Sequence, residues 1–168
     1  KAGEKILEIY KTDFSVINKT DNSPLTTADT AAHQEICQSL SELTPSIPIL
    51  SEESSHIDFS KRAKWVQYWL VDPLDGTREF IKKNGEFTVN IALIDRHQSV
   101  LGVVHIPVID TSYMATTNYG AHKRDKKNKM EKISVRKVNK ECITIAGSRS
   151  HSNLKQKSFI SKIKNAEV

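Results

Sequence analysis

Two carboxylates lie close together at the end of an apolar stretch in the segment WLVDPLDGT, residues 69–77. Asp72 and Asp75 are separated by only two residues. Because carboxylates held this close repel each other, a bound cation or a proton is needed to relieve the repulsion. Carboxylate oxygens are hard ligands that favour Mg²⁺ or Mn²⁺ over softer metals. The spacing therefore predicts a metal site at this point of the chain.

The next two residues of the same segment predict an anion site. Gly76 lets the backbone approach a ligand closely, and with Thr77 it opens a predicted short helix. Backbone N–H groups point outward at a helix N-terminus and bind anions there. A turn capped by aspartates would produce the same bare pattern. The buried strand before the segment and the helix after it favour adjoining metal and phosphate sites.

Two further acidic motifs lie upstream, SEES at residues 51–54 and TTAD at residues 26–29. If the strands before Glu52 and Asp72 are parallel neighbours, their C-terminal ends coincide and Glu52 joins the two aspartates. Asp29 lies in the first turn of a predicted helix, where the helix dipole favours a carboxylate. Taken alone, the first motif would be a pair of exposed loop glutamates and the second a plain helix N-terminus.

Hydrophobic periodicity predicts the elements that position these residues, as an α/β fold. Thr27 is the predicted N-cap of the second helix, and residues 54–64 are predicted to be a polar connection. The predicted helices are 1–11, 28–43, 77–82 and 152–164, and the predicted strands are 47–50, 66–71, 87–94, 100–106, 112–117, 133–135 and 142–146.

The charge is unevenly distributed along the 168 residues. Residues 1–100 contain 11 Lys/Arg and 15 Asp/Glu, whereas residues 101–168 contain 14 Lys/Arg and 5 Asp/Glu. The basic run at residues 122–132 is predicted to be a solvated loop or hairpin tip. It has no aromatic residue that could stack on bases, so nucleic-acid binding is not expected. An acidic half beside a basic half suits a cation site next to an anion site.

Hydropathy and cysteine content predict a cytoplasmic location. No apolar run approaches the roughly 20 residues of a membrane span. Cys37 and Cys142 lie far apart without metal-ligand spacing, so they are predicted to be free thiols in a reducing compartment. Weak peripheral contact with the cytoplasmic face of a membrane is compatible with the basic half.

Three motifs in order carry a resemblance to a known family: NSPLTTAD at 22–29, LSEES at 50–54 and WLVDPLDGT at 69–77. The chain resembles the lithium-sensitive, magnesium-dependent phosphatase superfamily of inositol monophosphatases, fructose-1,6-bisphosphatases and 3′(2′),5′-bisphosphate nucleotidases. Within it, EFTVNIALI at 86–94 and GSRSH at 147–151 look most like the nucleotidases, which hydrolyse 3′-phosphoadenosine 5′-phosphate to AMP. The resemblance implies a layered α/β sugar-phosphatase fold, with a metal- and phosphate-binding domain at 1–120 and an incomplete second half at 121–168.

The resemblance also implies roles for individual residues. The implied metal ligands are Glu52, Asp72, Asp75 and the backbone carbonyl of Leu74. The residues implied to orient and deprotonate the attacking water are Asp29 and Thr77. The residues implied to contact the substrate are Glu52, Asp75, Gly76, Thr77, Ser148 and His151.

The resemblance also implies cofactors and partners. Two or three Mg²⁺ ions are expected, with Mn²⁺ as a substitute and Li⁺ as an inhibitor. The expected partner is a phosphorylated nucleotide, and a homodimer is compatible with the family. Substrates left open are inositol monophosphate and a sugar phosphate, and a further alternative is an inactive remnant that acts as a binding module.

The chain departs from the family pattern at both ends. It begins at Lys1 without Met, and it has no Trp-Asp-x-Ala-Ala-Gly motif, whose Asp completes the second metal site of the family. The sequence is therefore expected to be either part of a longer protein or a short form. A short form is expected to be poorly active and prone to association, because core surface and sheet edges would be exposed.

Overall fold

The computed structural model of the protein describes residues 1–19, 24–137, 139, 141–147, 154–163 and 165–167. The helices in these ranges are α1 (Ala2–Tyr10), α2 (Thr27–Leu43), α3 (Phe59–Arg62), α4 (Thr77–Ile81), α5 (Leu154–Ile160) and a 3₁₀ turn at Pro107–Ile109. The strands are β1 (Val16–Asn18), β2 (Pro24–Thr26), β3 (Ile49–Ser51), β4 (Gln67–Asp75), β5 (Thr88–Asp95), β6 (Gln98–Ile106), β7 (Thr111–Thr116), β8 (Gly120–Arg124), β9 (Met130–Ile133), β10 (Ile143–Thr144) and β11 (Ala166–Glu167).

The chain divides into two structural units, Lys1–Ile133 and Ser134–Val168. Strands β8 and β9 continue the sheet of the first unit, so the predicted domain boundary after residue 120 lies inside that unit. In the second unit β10 pairs in parallel with β11. The predicted strand at 133–135 is wrong, because Ile133 is the last residue of β9.

The first unit is built on a seven-stranded sheet in the order β3-β4-β5-β6-β7-β8-β9. Strand β3 is parallel to β4, and every later pair is antiparallel. The parallel pairing of the two strands that precede the acidic motifs is therefore confirmed. The basic run forms a hairpin of β8 and β9, as predicted.

Helix α2 lies against the sheet through residues spaced four apart. These residues are all buried, and they are Ala28, Ala32, Ile36 and Leu40. One face of a helix collects such positions, so the pattern explains the packing of α2 on β4. The N-cap is Thr26 and not the predicted Thr27, because the Thr26 hydroxyl accepts the N–H of Ala28 while Asp29 accepts the backbone N–H of Thr26.

Strand β4 is longer than predicted. It was expected to stop at Asp72, but it continues through Pro73 to Asp75. A shift of register between Asp72 and Asp75 allows this, because a bulge bends the strand while its pairing with β5 resumes at Thr88. The predicted polar connection at 54–64 is also corrected, since it contains the short helix α3.

An aromatic cluster closes the core beside α4. Phe80 is fully buried, and its ring centroid lies 5.0 Å from Tyr10, 4.8 Å from Phe14 and 5.2 Å from Phe87. The cluster joins α1 and α4 to Phe87, the residue before β5, so it fixes the helix that follows the Asp75-Gly76-Thr77 turn. Both cysteines are free thiols, as predicted. Within the described ranges, no helix has the length and apolar character needed to cross a membrane.

Candidate metal and phosphate site

The parallel pairing of β3 and β4 brings Glu52 beside Asp72. Ser51 is the register partner of Val71, and the N–H of Glu52 donates to the carbonyl of Val71 at 3.0 Å. The two carboxylates thus follow two adjacent strand ends, as the sequence predicts. The Glu52 carboxylate is close enough to Asp72 to raise the pKa of Asp72.

The bulge in β4 lies between Asp72 and Asp75, and the charge of Asp75 is near enough to raise the pKa of Asp72. The Leu74 N–H donates to Asp72 Oδ1 at 3.3 Å, which ties the turn to the first carboxylate. Asn90 Nδ2 donates to Asp75 Oδ2 at 2.9 Å. Asn90 is the register partner of Asp72 on β5, so one neighbouring strand supports both aspartates.

The pKa of Asp72 is raised by its place in this acidic cluster. Burial raises its pKa first, and the charges of Glu52 and Asp75 raise it further, to about 7, although the bond from the Leu74 N–H opposes them. A divalent cation relieves this repulsion in the way a proton does. In the described part of the chain no three acidic, His or Cys side chains converge as they stand on one ion position. The donor set of three carboxylates and the Leu74 carbonyl is nevertheless all oxygen, which fits Mg²⁺.

Lys19 provides a positive charge beside these acids. Its ammonium donates to Glu52 Oε1 at 3.0 Å and to Glu53 Oε1 at 2.7 Å. Burial alone would lower the pKa of Lys19, but the bonds and charges of the two glutamates raise it overall. The pKa of Glu53 is also raised, by burial and by the charges of Glu52 and Asp29, although the hydrogen bond and charge of Lys19 oppose them. The two shifts disagree, because a raised pKa favours a charged lysine but a protonated glutamate. The distance of 2.7 Å between Lys19 Nζ and Glu53 Oε1 favours an ionised pair.

Asp29 and Thr77 meet across the site. Thr77 Oγ1 lies 3.1 Å from Asp29 Oδ1 and 3.2 Å from the carbonyl oxygen of Leu74, within donating distance of both. Asp29 is buried, and its other oxygen accepts the N–H of Thr26 at 2.7 Å and the hydroxyl of Thr26 at 2.5 Å. Thr26 therefore fixes the Asp29 carboxylate so that one oxygen remains directed at Thr77.

Gly76 occupies a backbone conformation that other residues rarely adopt, with φ of +96°. A Cβ at this position would lie 2.8 Å from the carbonyl oxygen of Glu86 and 3.2 Å from Cα of Phe87. Both neighbours are backbone atoms that cannot easily move, so the turn before α4 requires glycine. The Gly76 carbonyl accepts the first bond of α4, from the N–H of Phe80 at 2.9 Å.

The structure brings most of the predicted site residues together. Asp29, Glu52, Asp72, Leu74, Asp75, Gly76 and Thr77 surround the ends of β3 and β4 and the start of α4. Their individual roles remain predictions. Ser148 and His151 lie outside the described residues.

Sequence reasoning missed three residues that hold the site together. Lys19 and Asn90 act across the fold on Glu52 and Asp75, and no local pattern signals such contacts. Thr26 could have been found, because a threonine three residues before an acidic residue is the spacing of a capping box.

The raised pKa of Asp72 predicts how stability depends on pH without a divalent ion. An acid whose folded pKa exceeds its unfolded value of 3.8 binds its proton more tightly when folded. Stability is therefore lost as pH rises from about 4 to about 7. Asp72→Asn is expected to stabilise the metal-free protein more at pH 8 than at pH 5, by about 1–2 kcal/mol after allowance for solvent screening.

Urea denaturation of both proteins in EDTA at the two pH values measures this effect. A free energy of unfolding that Asp72→Asn lowers equally at both pH values would contradict the electrostatic explanation. Asp58→Asn, at an exposed residue on the chain's surface, is the matched control and is expected to change little.

Known proteins similar to this chain belong to the same family that its motifs resemble. A model of the inositol monophosphatase family matches residues 1–167. The 3′(2′),5′-bisphosphate nucleotidase CysQ of Escherichia coli strain K12 is 44% identical over 164 residues, which cover 96% of this chain and 65% of that protein. The chain thus spans slightly less than two thirds of the length of this relative.

Solved structures agree with the fold. The crystal structure of CysQ from Bacteroides thetaiotaomicron has a TM-score of 0.82 at 40% identity and covers 99% of this chain and 67% of that one. An IMPase/NADP phosphatase complexed with Mg²⁺ and phosphate has a TM-score of 0.79 at 19% identity, covering 98% of this chain and 60% of that one, and is similar in fold alone. The predicted α/β inositol monophosphatase-like fold is confirmed.

Proposed function

The chain belongs to the inositol monophosphatase family, and on that premise we propose that its protein hydrolyses the 3′-phosphate of 3′-phosphoadenosine 5′-phosphate, giving AMP and phosphate. The identity to bisphosphate nucleotidases supports this substrate over the other phosphate monoesters of the family. The reaction is a hydrolysis by water, without a covalent enzyme intermediate.

The observation that carries the proposal is the hydrogen bond between Thr77 and Asp29. With one Asp29 oxygen occupied by Thr26, the other accepts the proton of the Thr77 hydroxyl. The oxygen of that hydroxyl then has lone pairs available to accept a proton from water. Asp29 is a buried carboxylate that can take up this proton through Thr77, so the pair orients the water and acts as its general base.

Metal binding is proposed for the acidic residues of the same site. Glu52, Asp72, Asp75 and the Leu74 carbonyl would hold two or three Mg²⁺ ions, with Mn²⁺ as a substitute and Li⁺ as an inhibitor. When bound, such ions lower the pKa of water and neutralise charge on the phosphate and leaving oxygens. Lys19 adds a cation next to Glu52, which suits a site that receives a polyanionic substrate.

Substrate binding is proposed for the turn after β4. The N–H groups of Gly76 and Thr77 would hold the scissile phosphate, and Glu52 and Asp75 would contact the substrate. Ser148 and His151 are proposed to contact the nucleotide. A cytoplasmic location, weak membrane contact and a homodimer also remain predictions.

Comparison of substrates tests the proposal. Phosphate release is measured from 3′-phosphoadenosine 5′-phosphate, inositol 1-phosphate and fructose 1,6-bisphosphate at equal Mg²⁺ concentration. We expect the highest kcat/KM for the nucleotide. A higher kcat/KM for the inositol or sugar phosphate would replace the proposed substrate and keep the chemistry.

The binding-module alternative predicts a different result. Binding of RNA that weakens steeply with salt and does not depend on metal would support it. The hairpin of β8 and β9 carries the basic run, and four exposed lysines explain that charge as solvated surface without such a role: Lys126, Lys127, Lys129 and Lys132.

A further inference from the structure

Asn90 lies on β5, and its side chain reaches Asp75 at the end of β4. Its Nδ2 lies 2.9 Å from Asp75 Oδ2, and its Oδ1 lies 3.0 Å from Thr88 Oγ1. Thr88 is the register partner of Asp75, and Asn90 is the register partner of Asp72. The two β5 residues therefore bracket the bulge that carries both aspartates.

The chemistry of the partners fixes the orientation of the amide. An ionised carboxylate only accepts hydrogen bonds, so Asn90 must present its NH₂ group to Asp75. Its oxygen then faces Thr88, whose hydroxyl donates to it. A reversed amide would place its oxygen against the Asp75 carboxylate and leave that contact without a proton, although the Thr88 hydroxyl could accept from the NH₂ group. The Asp75 carboxylate thus selects the orientation of the amide, and the hydrogen bond from Thr88 anchors the Asn90 side chain in it.

Asp75 needs this support because the bulge interrupts the ladder beside it. Register pairing stops after Asp72 and resumes only at Asp75, so the backbone between them is less firmly held. The Asp75 side chain is also exposed, which leaves its rotamer free in solvent. A hydrogen bond to a charged acceptor is stronger than a neutral one and is able to hold one rotamer.

We propose that Asn90, anchored by Thr88, is a positioning residue that holds Asp75 Oδ2 and leaves Oδ1 free to ligate a divalent cation. The inference rests on the proposed function, since that function makes Asp75 a metal ligand. Residues that orient metal ligands typically contribute 10–100-fold to metal affinity. Asn90 belongs to this class by its contact, because it touches the ligand and not the ion.

Magnesium affinity without substrate is the first readout. Mg²⁺ binding is measured by calorimetry for the wild type, Asn90→Asp, Asn90→Ala, Thr88→Val and Thr88→Ser. We expect affinity to fall roughly 10–100-fold in both Asn90 variants. Thr88→Val, which keeps the shape of the residue but loses the hydroxyl, is expected to weaken binding less, and Thr88→Ser is expected to match the wild type.

A second readout separates positioning from general damage to the strand. If Asn90 acts through Asp75, phosphate release by Asn90→Ala recovers towards the wild-type kcat as Mg²⁺ is raised, whereas a misfolded variant does not recover. Ala92→Ser, on the same strand and the same face two residues further on, is the matched control and should bind Mg²⁺ like the wild type.

Unchanged Mg²⁺ affinity in both Asn90 variants would overturn the proposal, as would equal affinities in Thr88→Val and Thr88→Ser. If Asn90→Ala fails to fold, the Thr88 pair decides alone. A wild type that binds Mg²⁺ but releases no phosphate would refute the proposed function, while weaker Mg²⁺ binding in the Asn90 variants would still support the positioning role.

Discussion

Thr77→Val is expected to lower kcat by roughly 10²–10⁴-fold, the range of a general acid–base contribution. Valine has nearly the shape of threonine and keeps the backbone N–H that is proposed to bind phosphate. It removes only the hydroxyl that lies 3.1 Å from Asp29 Oδ1. The loss should therefore be seen in kcat, with a smaller change in KM, and steady-state phosphate release measures both.

Thr77→Ser is the control, since it keeps the hydroxyl and should retain most of the activity. Asp29→Asn extends the test. Its amide oxygen can still accept the bonds from Thr26, but its NH₂ group then faces Thr77 and donates to it. The hydroxyl can no longer pass a proton to this residue, so a similar loss is expected. Equal kcat for Thr77→Val and Thr77→Ser would exclude the hydroxyl from the reaction.

Phe80→Ala is expected to destabilise the first unit by about 3–5 kcal/mol, the usual cost of truncating a buried phenylalanine. The side chain is fully buried and touches three other aromatic rings. Folded proteins are typically stable by only about 5–15 kcal/mol, so much of this stability would be lost. Urea denaturation of the variant and the wild type measures the difference.

Phe59→Ala is the matched control for this prediction. Phe59 is 72% exposed, and the guanidinium of Arg62 lies over its ring at 5.8 Å from the centroid. Truncation of such a surface residue is expected to change the free energy of unfolding by about 0.5 kcal/mol or less. Similar losses in the two variants would mean that the aromatic cluster does not support the unit.

The parallel strands that bring Glu52 to Asp72 could be predicted from the sequence. Each strand is a short apolar run ending at an acidic residue, and open α/β sheets place ligands at such strand ends. The contact of Thr77 with Asp29 was implied by the family resemblance. Local spacing could not supply it, because 48 residues separate the two partners.

The continuation of β4 through the acidic turn could not be predicted locally. Pro73 follows Asp72, and proline normally ends strand pairing. Pairing resumes at Asp75 because β5 offers Thr88 in register, which is a contact made only in the folded sheet. The roles of Lys19 and Asn90 could not be predicted either, because their partners lie 33 and 15 residues away and meet them only in the folded protein.

Magnesium-dependent release of phosphate from 3′-phosphoadenosine 5′-phosphate tests the central claim most directly. The protein is assayed with Mg²⁺ and with EDTA, beside Asp72→Asn at the same concentration. We predict release that requires Mg²⁺ and that Asp72→Asn abolishes. Release that persists in EDTA or in Asp72→Asn, or no release from folded protein that binds Mg²⁺ through Asp72, would contradict the claim that these acids form the site of a metal-dependent phosphatase.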